Sequence, residues 1–507
     1  MTTTTATTPH TDPTTLPAEV EFVIVGAGFS GLTSAIQLKR RGHDSMVIIE
    51  RQEDLGGTWN SNRYPGVQCD IPSHLYSFSF AQNPEWSKLF ADGEEIWHYQ
   101  KRVAEEEGLT PYLRFNTNAE DIRWLEDEQR WQVTTDNGVV RGTYLLLCTG
   151  HLADHRLPDV EGIDTFPGPA FHCNRWREDV DLKGKRVGVI GTGATAIQLV
   201  PAIVDEVAEL VVFQRTPGWI IPRPEHEFTE TEKTYYRRNP QALDRLRREI
   251  FQQRENRYAN MRGVEPWASA TRQLALDHLE AQVADPQLRA RLTPDFDPGC
   301  KRILLSNTWY PALQREHVTV ESSALKAVDG STVTAASGAS YELDVLLFAT
   351  GFTVAEPPYS KIVVGEGGVL MADAWAEGMK AMDSVAISGF PNLFTVNGPN
   401  GALGHNSIIY MLETEVDYII DAVEWARAHG GGVLRPKKEK EDEYLDWITE
   451  VSEDTVLLSG GCSSWYLDPR SGKQAVVWPE SAADFRATNY FRPDRFDFQP
   501  ASAPAAG

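Results

Sequence analysis

The fold is decided by residues 21–50, EFVIVGAGFSGLTSAIQLKRRGHDSMVIIE. A short apolar run, typical of a buried parallel strand, leads into Gly26, Gly28 and Gly31 with the spacing G-x-G-x-x-G. A helical period follows, and a second apolar run ends at Glu50. Small residues at the three glycine positions permit a tight turn, close backbone approach to a pyrophosphate and close packing of helix on strand. This order predicts a dinucleotide-binding unit with phosphate at the helix N-terminus.

The same plan returns in residues 185–215, KRVGVIGTGATAIQLVPAIVDEVAELVVFQR. A constant shift of 165 residues carries Gly26 onto Gly191 and Glu50 onto Arg215. A carboxylate at the end of the second strand accepts hydrogen bonds from ribose hydroxyls, whereas a guanidinium pairs with a 2′-phosphate. We therefore expect FAD or NAD on the first unit and NADP on the second. The predicted nucleotide contacts are Gly26, Gly28, Gly31 and Glu50 in the first unit, and Gly191, Thr192, Gly193, Ala194, Thr195, Arg215 and Thr216 in the second.

The predicted fold class is α/β, with two Rossmann-like dinucleotide-binding domains (FAD and NADP) and an inserted helical subdomain. Two apolar runs that end in Thr-Gly, 144–150 and 344–351, are expected to close the two nucleotide units. The segment between the second unit and its closing strand is rich in charged residues, and its residue pattern has a helical period. The predicted bounds are a disordered tail at 1–17, an FAD domain at 18–160 and 355–500, an NADP domain at 161–224 and 299–354, and a helical insertion at 225–298.

Composition excludes several functions. The chain has 507 residues and a formal net charge of −24, which argues against nucleic acid and anionic membranes as partners. It contains no run of 18 apolar residues, so we expect no membrane-spanning helix. The cysteines stand singly, without metal-ligand spacing, which predicts no metal site, no redox-active pair of the disulfide-reductase kind and a reducing cytoplasm. The five cysteines are Cys69, Cys148, Cys173, Cys300 and Cys462.

Two further stretches carry a family resemblance. Residues 56–70, GGTWNSNRYPGVQCD, and residues 166–176, FPGPAFHCNRW, have no clear helix or strand period. They resemble the two long signatures of type I Baeyer–Villiger monooxygenases, and the resemblance extends from residue 20 to about residue 490. Arg177 departs from it, because family members usually have Pro or Asp there. The matching positions are Gly57, Trp59, Tyr64, Pro65, Gly66 and Asp70 in the first stretch, and Phe166, Gly168, His172 and Trp176 in the second.

The resemblance implies an activity. NADPH reduces FAD, oxygen adds to give a flavin peroxide, and this attacks a ketone through a tetrahedral (Criegee) intermediate to form an ester or lactone, with possible sulfoxidation. It also implies that Arg302 is the active-site arginine, that Asp70 orients it, and that Lys301 binds the 2′-phosphate. Thr58 and Trp59 are expected on the FAD side. Phe166, Gly168, His172 and Trp176 are expected to couple movement of the NADP domain to the site, rather than to perform acid–base chemistry.

Alternatives remain open at this point. Trp59 and His172 also suit ordinary core residues, Asp70 a turn cap, and Arg302 a surface position. The runner-up function is a flavin-containing monooxygenase acting on nitrogen or sulfur, followed by a flavoprotein that uses NADPH without oxygenating. The expected partners are a small-molecule ketone and O2, with the protein a cytoplasmic monomer or weak homo-oligomer.

Overall fold

The structure is a computed structural model that describes residues 15–501. Its strands are β1 (Glu19–Val25), β2 (Met46–Ile49), β3 (Leu113–Arg114), β4 (Ala119–Leu125), β5 (Arg130–Thr135), β6 (Gly138–Leu147), β7 (Ala170–His172), β8 (Arg186–Ile190), β9 (Glu209–Phe213), β10 (Ile220–Ile221), β11 (Leu304–Leu305), β12 (Val318–Glu321), β13 (Leu325–Asp329), β14 (Thr332–Ala335), β15 (Ser340–Glu342), β16 (Val345–Phe348), β17 (Val363–Val364), β18 (Leu393–Thr395), β19 (Gly432–Pro436) and β20 (Phe496–Pro500).

The α-helices are α1 (Phe29–Arg40), α2 (Thr58–Ser61), α3 (Gly93–Glu106), α4 (Ala194–Ile203), α5 (Glu230–Arg238), α6 (Pro240–Glu255), α7 (Tyr258–Met261), α8 (Trp267–Gln282), α9 (Pro286–Leu292), α10 (Trp309–Leu313), α11 (Met371–Ala374), α12 (Ile408–Ala428), α13 (Lys438–Ser452), α14 (Val456–Ser459) and α15 (Ala482–Thr488). None of the helices in the described range 15–501 is both long and apolar enough to cross a membrane.

The first sheet is built around β1. Its strand order is β17-β4-β5-β6-β1-β2-β3, with β18 added alongside β6. β1 runs parallel to both β2 and β6, so that Phe22 lies between Met46 and Tyr144. The centre of β1 is fully buried, as expected for a strand covered on both faces. The parallel run that carries the first glycine loop therefore occupies the middle of the sheet, with its loop at the carboxyl edge.

The second sheet is entirely parallel and has the order β12-β9-β8-β16-β7. The second glycine loop follows β8, its central strand. The α/β fold class with two nucleotide-binding sheets is thus confirmed.

One local expectation was incomplete. Part of the stretch 166–176 forms β7, an edge strand in which His172 pairs with Phe348 of β16. Three residues are too few to show a period. The strand forms because the backbone of β16 is available to pair with it.

Two other segments are the helical insertion and the last third of the chain. Helices α5 to α9 follow one another between β10 and β11, where the sequence predicted a helical insertion. In the last third of the chain, β17 and β18 pair with β4 and β6 of the first sheet.

The predicted tail 1–17 lies mostly outside the described residues. Its last part does not behave as a loose tail: the Thr15 carbonyl accepts a hydrogen bond from Arg114 Nε at 2.8 Å, and Leu16 packs against the core.

Candidate active site and cofactor sites

The first glycine loop is packed backbone against backbone. Gly26 has φ +107°, and a Cβ there would lie 2.5 Å from the carbonyl oxygen of Cys148. A Cβ at Gly31 would lie 1.9 Å from the Gly26 carbonyl, and one at Gly28 would lie 3.3 Å from the Cα of Gly57. Only glycine fits the approaches at positions 26 and 31. Gly28 caps α1 without a side-chain hydrogen bond, so the first N–H groups of the helix remain available to phosphate.

Glu50 lies buried beside this loop, immediately after β2. Its Oε2 accepts a hydrogen bond from the Ala27 N–H and its Oε1 accepts one from the Gln52 N–H, each at 2.9 Å. An ionised carboxylate has about four lone-pair sites, so acceptor capacity remains for ribose hydroxyls. The loop and the acid together fit the adenosine end of a dinucleotide without a 2′-phosphate.

The second loop repeats the strained turn. Gly191 has φ +116°, and a Cβ there would lie 2.4 Å from the Ala349 carbonyl oxygen. Thr192 Oγ1 donates to the Thr216 carbonyl at 2.9 Å, which joins the loop to the segment that follows β9. α4 starts at Ala194, so its free N-terminal N–H groups point out of this loop as those of α1 do from the first.

Arg215 follows β9 two residues after its end, and its charge acts on Lys301. Burial lowers the pKa of Lys301, and the positive charge of Arg215 lowers it further, while Asp295 acts in the opposite direction. In the described part of the chain neither cation has a carboxylate within salt-bridge distance. Two neighbouring cations without a paired anion fit the 2′-phosphate predicted for them.

Asp70 and Arg302 are brought together from positions 232 residues apart. Arg302 Nε donates to Asp70 Oδ2 at 2.8 Å, and Nη2 donates to Oδ1 at 2.6 Å, a bidentate pair. The Arg302 side chain keeps 30% of its area accessible, and the Asp70 side chain keeps 24%. The Asp70 charge raises the pKa of Arg302, against the effect of burial. Burial raises the pKa of Asp70, but Arg302 and Arg254 outweigh it and bring it below the usual range.

Sequence reasoning missed two neighbours of this pair. Arg254 of α6 donates from Nη2 to the Asp70 carbonyl oxygen at 2.8 Å. Tyr466 is buried beside Arg302, whose charge opposes the rise that burial causes in the tyrosine pKa. No motif marks either residue: Arg254 stands in an ordinary helical period, and Tyr466 lies outside the helices and strands.

The expectation that all five cysteines are single was wrong. Cys300 and Cys462 form a disulfide across 162 residues of sequence. The bond ties the segment immediately before Lys301 and Arg302 to the loop that leads to Tyr466. No local spacing announces such a pair, because its partners meet only through the fold. The remaining cysteines of the described range, Cys69, Cys148 and Cys173, are buried free thiols.

The first signature stretch packs against the NADP-side helix α4. Tyr64 Oη donates to Gln198 Oε1 at 2.9 Å, and Gln198 Nε2 donates to the Gln68 carbonyl at 3.0 Å. A Cβ at Gly66 would lie 2.7 Å from the Gln198 carbonyl oxygen, so the contact is close. Trp59 is buried and its Nε1 donates to Tyr76 Oη at 3.2 Å, which supports the packing alternative for its indole. A cofactor contact by Trp59, or by half-buried Thr58, stays a prediction.

His172 is buried in the second signature stretch. Its Nδ1 accepts a hydrogen bond from the Asn174 N–H at 3.1 Å, and its ring stacks on His155 with 4.9 Å between centroids. Burial, followed by the charge of His155, lowers the pKa of His172 to about 4. Asn174 Nδ2 donates to Asn62 Oδ1 at 3.4 Å, which connects this stretch to the residue after α2.

The other fingerprint residues have packing contacts. A Cβ at Gly168 would lie 2.1 Å from the Asp344 carbonyl oxygen, and Phe166 packs into the same region of the second domain. Trp176 meets Phe171 edge to face at 5.5 Å. Arg177, the departure from the family pattern, is exposed and pairs with Asp179. Its guanidinium therefore bonds a carboxylate two residues further along the same loop.

Comparison with known proteins shows the family of this chain. The family model described as flavin-binding monooxygenase-like matches residues 20–262. A Baeyer–Villiger monooxygenase of Streptomyces coelicolor is 42% identical over 475 residues, which cover 92% of this chain and 90% of that protein. The chain belongs to the Baeyer–Villiger monooxygenase family. A second Baeyer–Villiger monooxygenase, from Pseudomonas aeruginosa, is 38% identical over 94% of the chain and 91% of its own length.

Solved structures match this monooxygenase along its length. The closed crystal structure of cyclohexanone monooxygenase superimposes with a TM-score of 0.85 at 27% identity, covering 96% of this chain and all of that one. Cyclohexanone monooxygenase from Rhodococcus sp. Phi1, solved bound to NADP+, gives a TM-score of 0.84 at 28% identity with the same coverage. The OTEMO complex with FAD and NADP gives 0.84 at 26% identity, covering 95% of this chain and 99% of that one. The family and the enzyme class inferred from the two signatures are confirmed.

Proposed function

We propose that this monooxygenase converts ketones into esters or lactones at the Asp70–Arg302 pair, with FAD on the first loop and NADPH on the second. One structural neighbour is solved with FAD and NADP and another with NADP+, and both loops of this chain fit such ligands. The observation that carries the proposal is the bidentate pair, which joins the end of a flavin-side signature to the Lys-Arg segment of the second unit.

The bound cofactors supply electron transfer and oxygen activation. The residues of the chain supply charge and position. Arg302 is permanently cationic, and its remaining N–H donors stabilise negative charge that develops on a ketone oxygen under attack. Asp70 accepts hydrogen bonds from two N–H groups of Arg302, and this fixes the plane of the guanidinium. Because the pKa of Asp70 is lowered and that of Arg302 is raised, both stay ionised across the neutral range.

The second unit is proposed to select NADPH over NADH. Arg215 and Lys301 would hold the 2′-phosphate, and Thr192 and Thr216 would fix the loop beside it. His172, whose lowered pKa keeps it neutral near pH 7, would couple the NADP domain to the site without moving a proton.

The proposed setting follows from the same chemistry. The substrates are a small-molecule ketone and O2, and the protein is proposed to act as a monomer or weak homo-oligomer. The Cys300–Cys462 disulfide removes the support for a reducing cytoplasm, which rested on unpaired cysteines. Neither nucleic acid nor membrane lipid is proposed as a partner of this acidic chain.

The test uses FAD-loaded protein with NADPH and a panel of cyclic, aryl and linear ketones under ¹⁸O2. A ketone should speed NADPH consumption and yield a product heavier by one labelled oxygen atom. Arg302→Ala should keep FAD and lose roughly 10²–10³-fold in product formation, since it removes a preorganised charged donor.

Control reactions with amines and sulfides separate the other candidates. Turnover of these alone would identify a heteroatom oxygenase. Release of peroxide with every substrate, and no oxygenated product, would identify a flavoprotein that does not oxygenate. Full ketone oxygenation by flavin-loaded Arg302→Ala would overturn the role given to the pair.

A further inference from the structure

Arg254 is a buried cation that the proposed reaction has not yet used. It lies near the end of α6 in the helical insertion and is 5% exposed. Its Nη2 donates to the Asp70 carbonyl oxygen at 2.8 Å, and no carboxylate of residues 15–501 lies within salt-bridge distance of it. Burial lowers the pKa of Arg254 to about 9, the charge of Arg257 adds to this effect, and Asp70 opposes it. A buried cation without an ion-pair partner costs stability, and the guanidinium hydrogen bond of Arg254 goes to the main chain of Asp70.

A second buried arginine on the same helix shows the contrast. Arg247, two turns earlier, donates to the His74 and Leu75 carbonyls and lies 3.2 Å from the Ser77 hydroxyl. Its guanidinium is used in joining α6 to a loop of the first domain. The hydrogen bond of Arg254, in contrast, ends on the residue that orients the active-site arginine.

The residue after Arg254 fixes this end of α6 to the last third of the chain. Glu255 Oε1 accepts a hydrogen bond from Asn406 Nδ2 at 2.6 Å and lies 3.1 Å from His405 Nε2. Its carboxylate also accepts from the N–H groups of Ala482 and Ala483 at 3.3 and 3.2 Å. The guanidinium of Arg254 is thus delivered to Asp70 by a helix end that is anchored on a different part of the fold.

We propose that Arg254 is a positioning residue for the reaction at Asp70–Arg302: it holds the main chain of Asp70 and adds a second positive charge beside the pair. The helical insertion thereby completes the active site. This inference rests on the proposed function of Arg302. It adds to that function a residue from a segment in which no signature occurs.

The charge of Arg254 has a consequence that packing alone would not produce. Burial raises the pKa of Asp70, and Arg302 and then Arg254 lower it. The other titratable groups that interact with this carboxyl stay in place in an Arg254 variant; they are Arg223, Arg257, Tyr64, Cys69, Tyr76 and Tyr466. Without Arg254 the folded-state pKa of Asp70 moves upward, so the carboxylate protonates at higher pH and releases its hold on Arg302. The acid limb of the ketone-oxygenation rate should therefore move to higher pH.

The experiment compares FAD-loaded Arg254→Gln and Arg254→Lys with the wild type. Arg248→Gln is the matched control, because it removes an exposed arginine from the same helix. For Arg254→Gln we expect about a 10-fold loss in kcat for product, a ketone KM within threefold and an acid limb at higher pH. Arg254→Lys should recover most of kcat and return the limb toward its original position, and Arg248→Gln should match the wild type.

Each other outcome decides against the proposal. It fails if Arg254→Gln keeps kcat within twofold with an unmoved acid limb, or if Arg254→Lys is as impaired as Arg254→Gln. If Arg254→Gln loses FAD, Arg254→Met of similar length takes its place; loss of FAD in both would show a folding role instead. A wild type that makes no oxygenated product would overturn the proposed function itself. That outcome is distinct from every result of the Arg254 variants.

Discussion

The two nucleotide units share a plan but differ in enclosure. In the first, the opening turn of α1 is buried, including Phe29 and Ser30, and its loop is pressed against Gly57. In the second, Gly193 and Ala194 are exposed, and a Cβ at Gly193 would meet nothing within 4 Å. The same β-α-β framework thus forms a closed cradle suited to a cofactor that stays, and an open one suited to a cofactor that exchanges.

The largest expected effect comes from a substitution that disrupts the closed cradle and leaves the open one intact. Gly31→Ala places a methyl group 1.9 Å from a backbone oxygen, which no side-chain movement relieves. We expect destabilisation by about 3 kcal/mol or more and loss of bound FAD, measured by thermal unfolding and flavin absorbance.

The matched change in the second unit is Gly193→Ala, which should fold and bind FAD like the wild type. A Gly31→Ala protein with full FAD content, or a Gly193→Ala protein without FAD, would contradict the difference in enclosure.

This comparison also shows what the sequence could predict. Both loops, their strands and the change from Glu50 to Arg215 are local patterns, because the 3.6-residue helix period and buried parallel strands leave direct traces in the chain. The bidentate pair was reached through resemblance, since 232 residues separate Asp70 from Arg302.

Features formed only by tertiary contact were not predictable. The Cys300–Cys462 disulfide and the hydrogen bond from Arg254 to Asp70 join segments 162 and 184 residues apart. The local sequence around each of these four residues does not indicate which residue it contacts in the fold. Strand β7 was not predictable for a related reason: its three residues form a strand only because they pair with β16.

A smaller effect separates the two units by ligand. Arg215→Ala should raise KM for NADPH about 10-fold while leaving KM for NADH within twofold, because only the former loses a charge-assisted contact to the 2′-phosphate. FAD content should not change. Steady-state kinetics with both coenzymes measures this, and Arg238→Ala, which removes an exposed arginine of the helical insertion, is the control. Equal loss with NADH and NADPH would place Arg215 away from the 2′-phosphate.

The smallest effect concerns the connection between the units. His172 packs on His155, and its neighbour Asn174 reaches Asn62 beside α2, so the stretch contacts both halves of the molecule. His172→Ala should keep FAD and lower the yield of oxygenated product per NADPH by a few-fold.

The pH dependence distinguishes this coupling role from acid–base catalysis. The wild-type imidazole has a pKa lowered to about 4, below its ordinary 6.5, so it is already neutral above pH 6. Its removal should therefore leave the shape of the rate profile between pH 6 and 8 unchanged. A limb near pH 6.5 that disappears in His172→Ala would instead make this histidine a proton carrier, and the closed and open cradles would then be linked by chemistry rather than by packing.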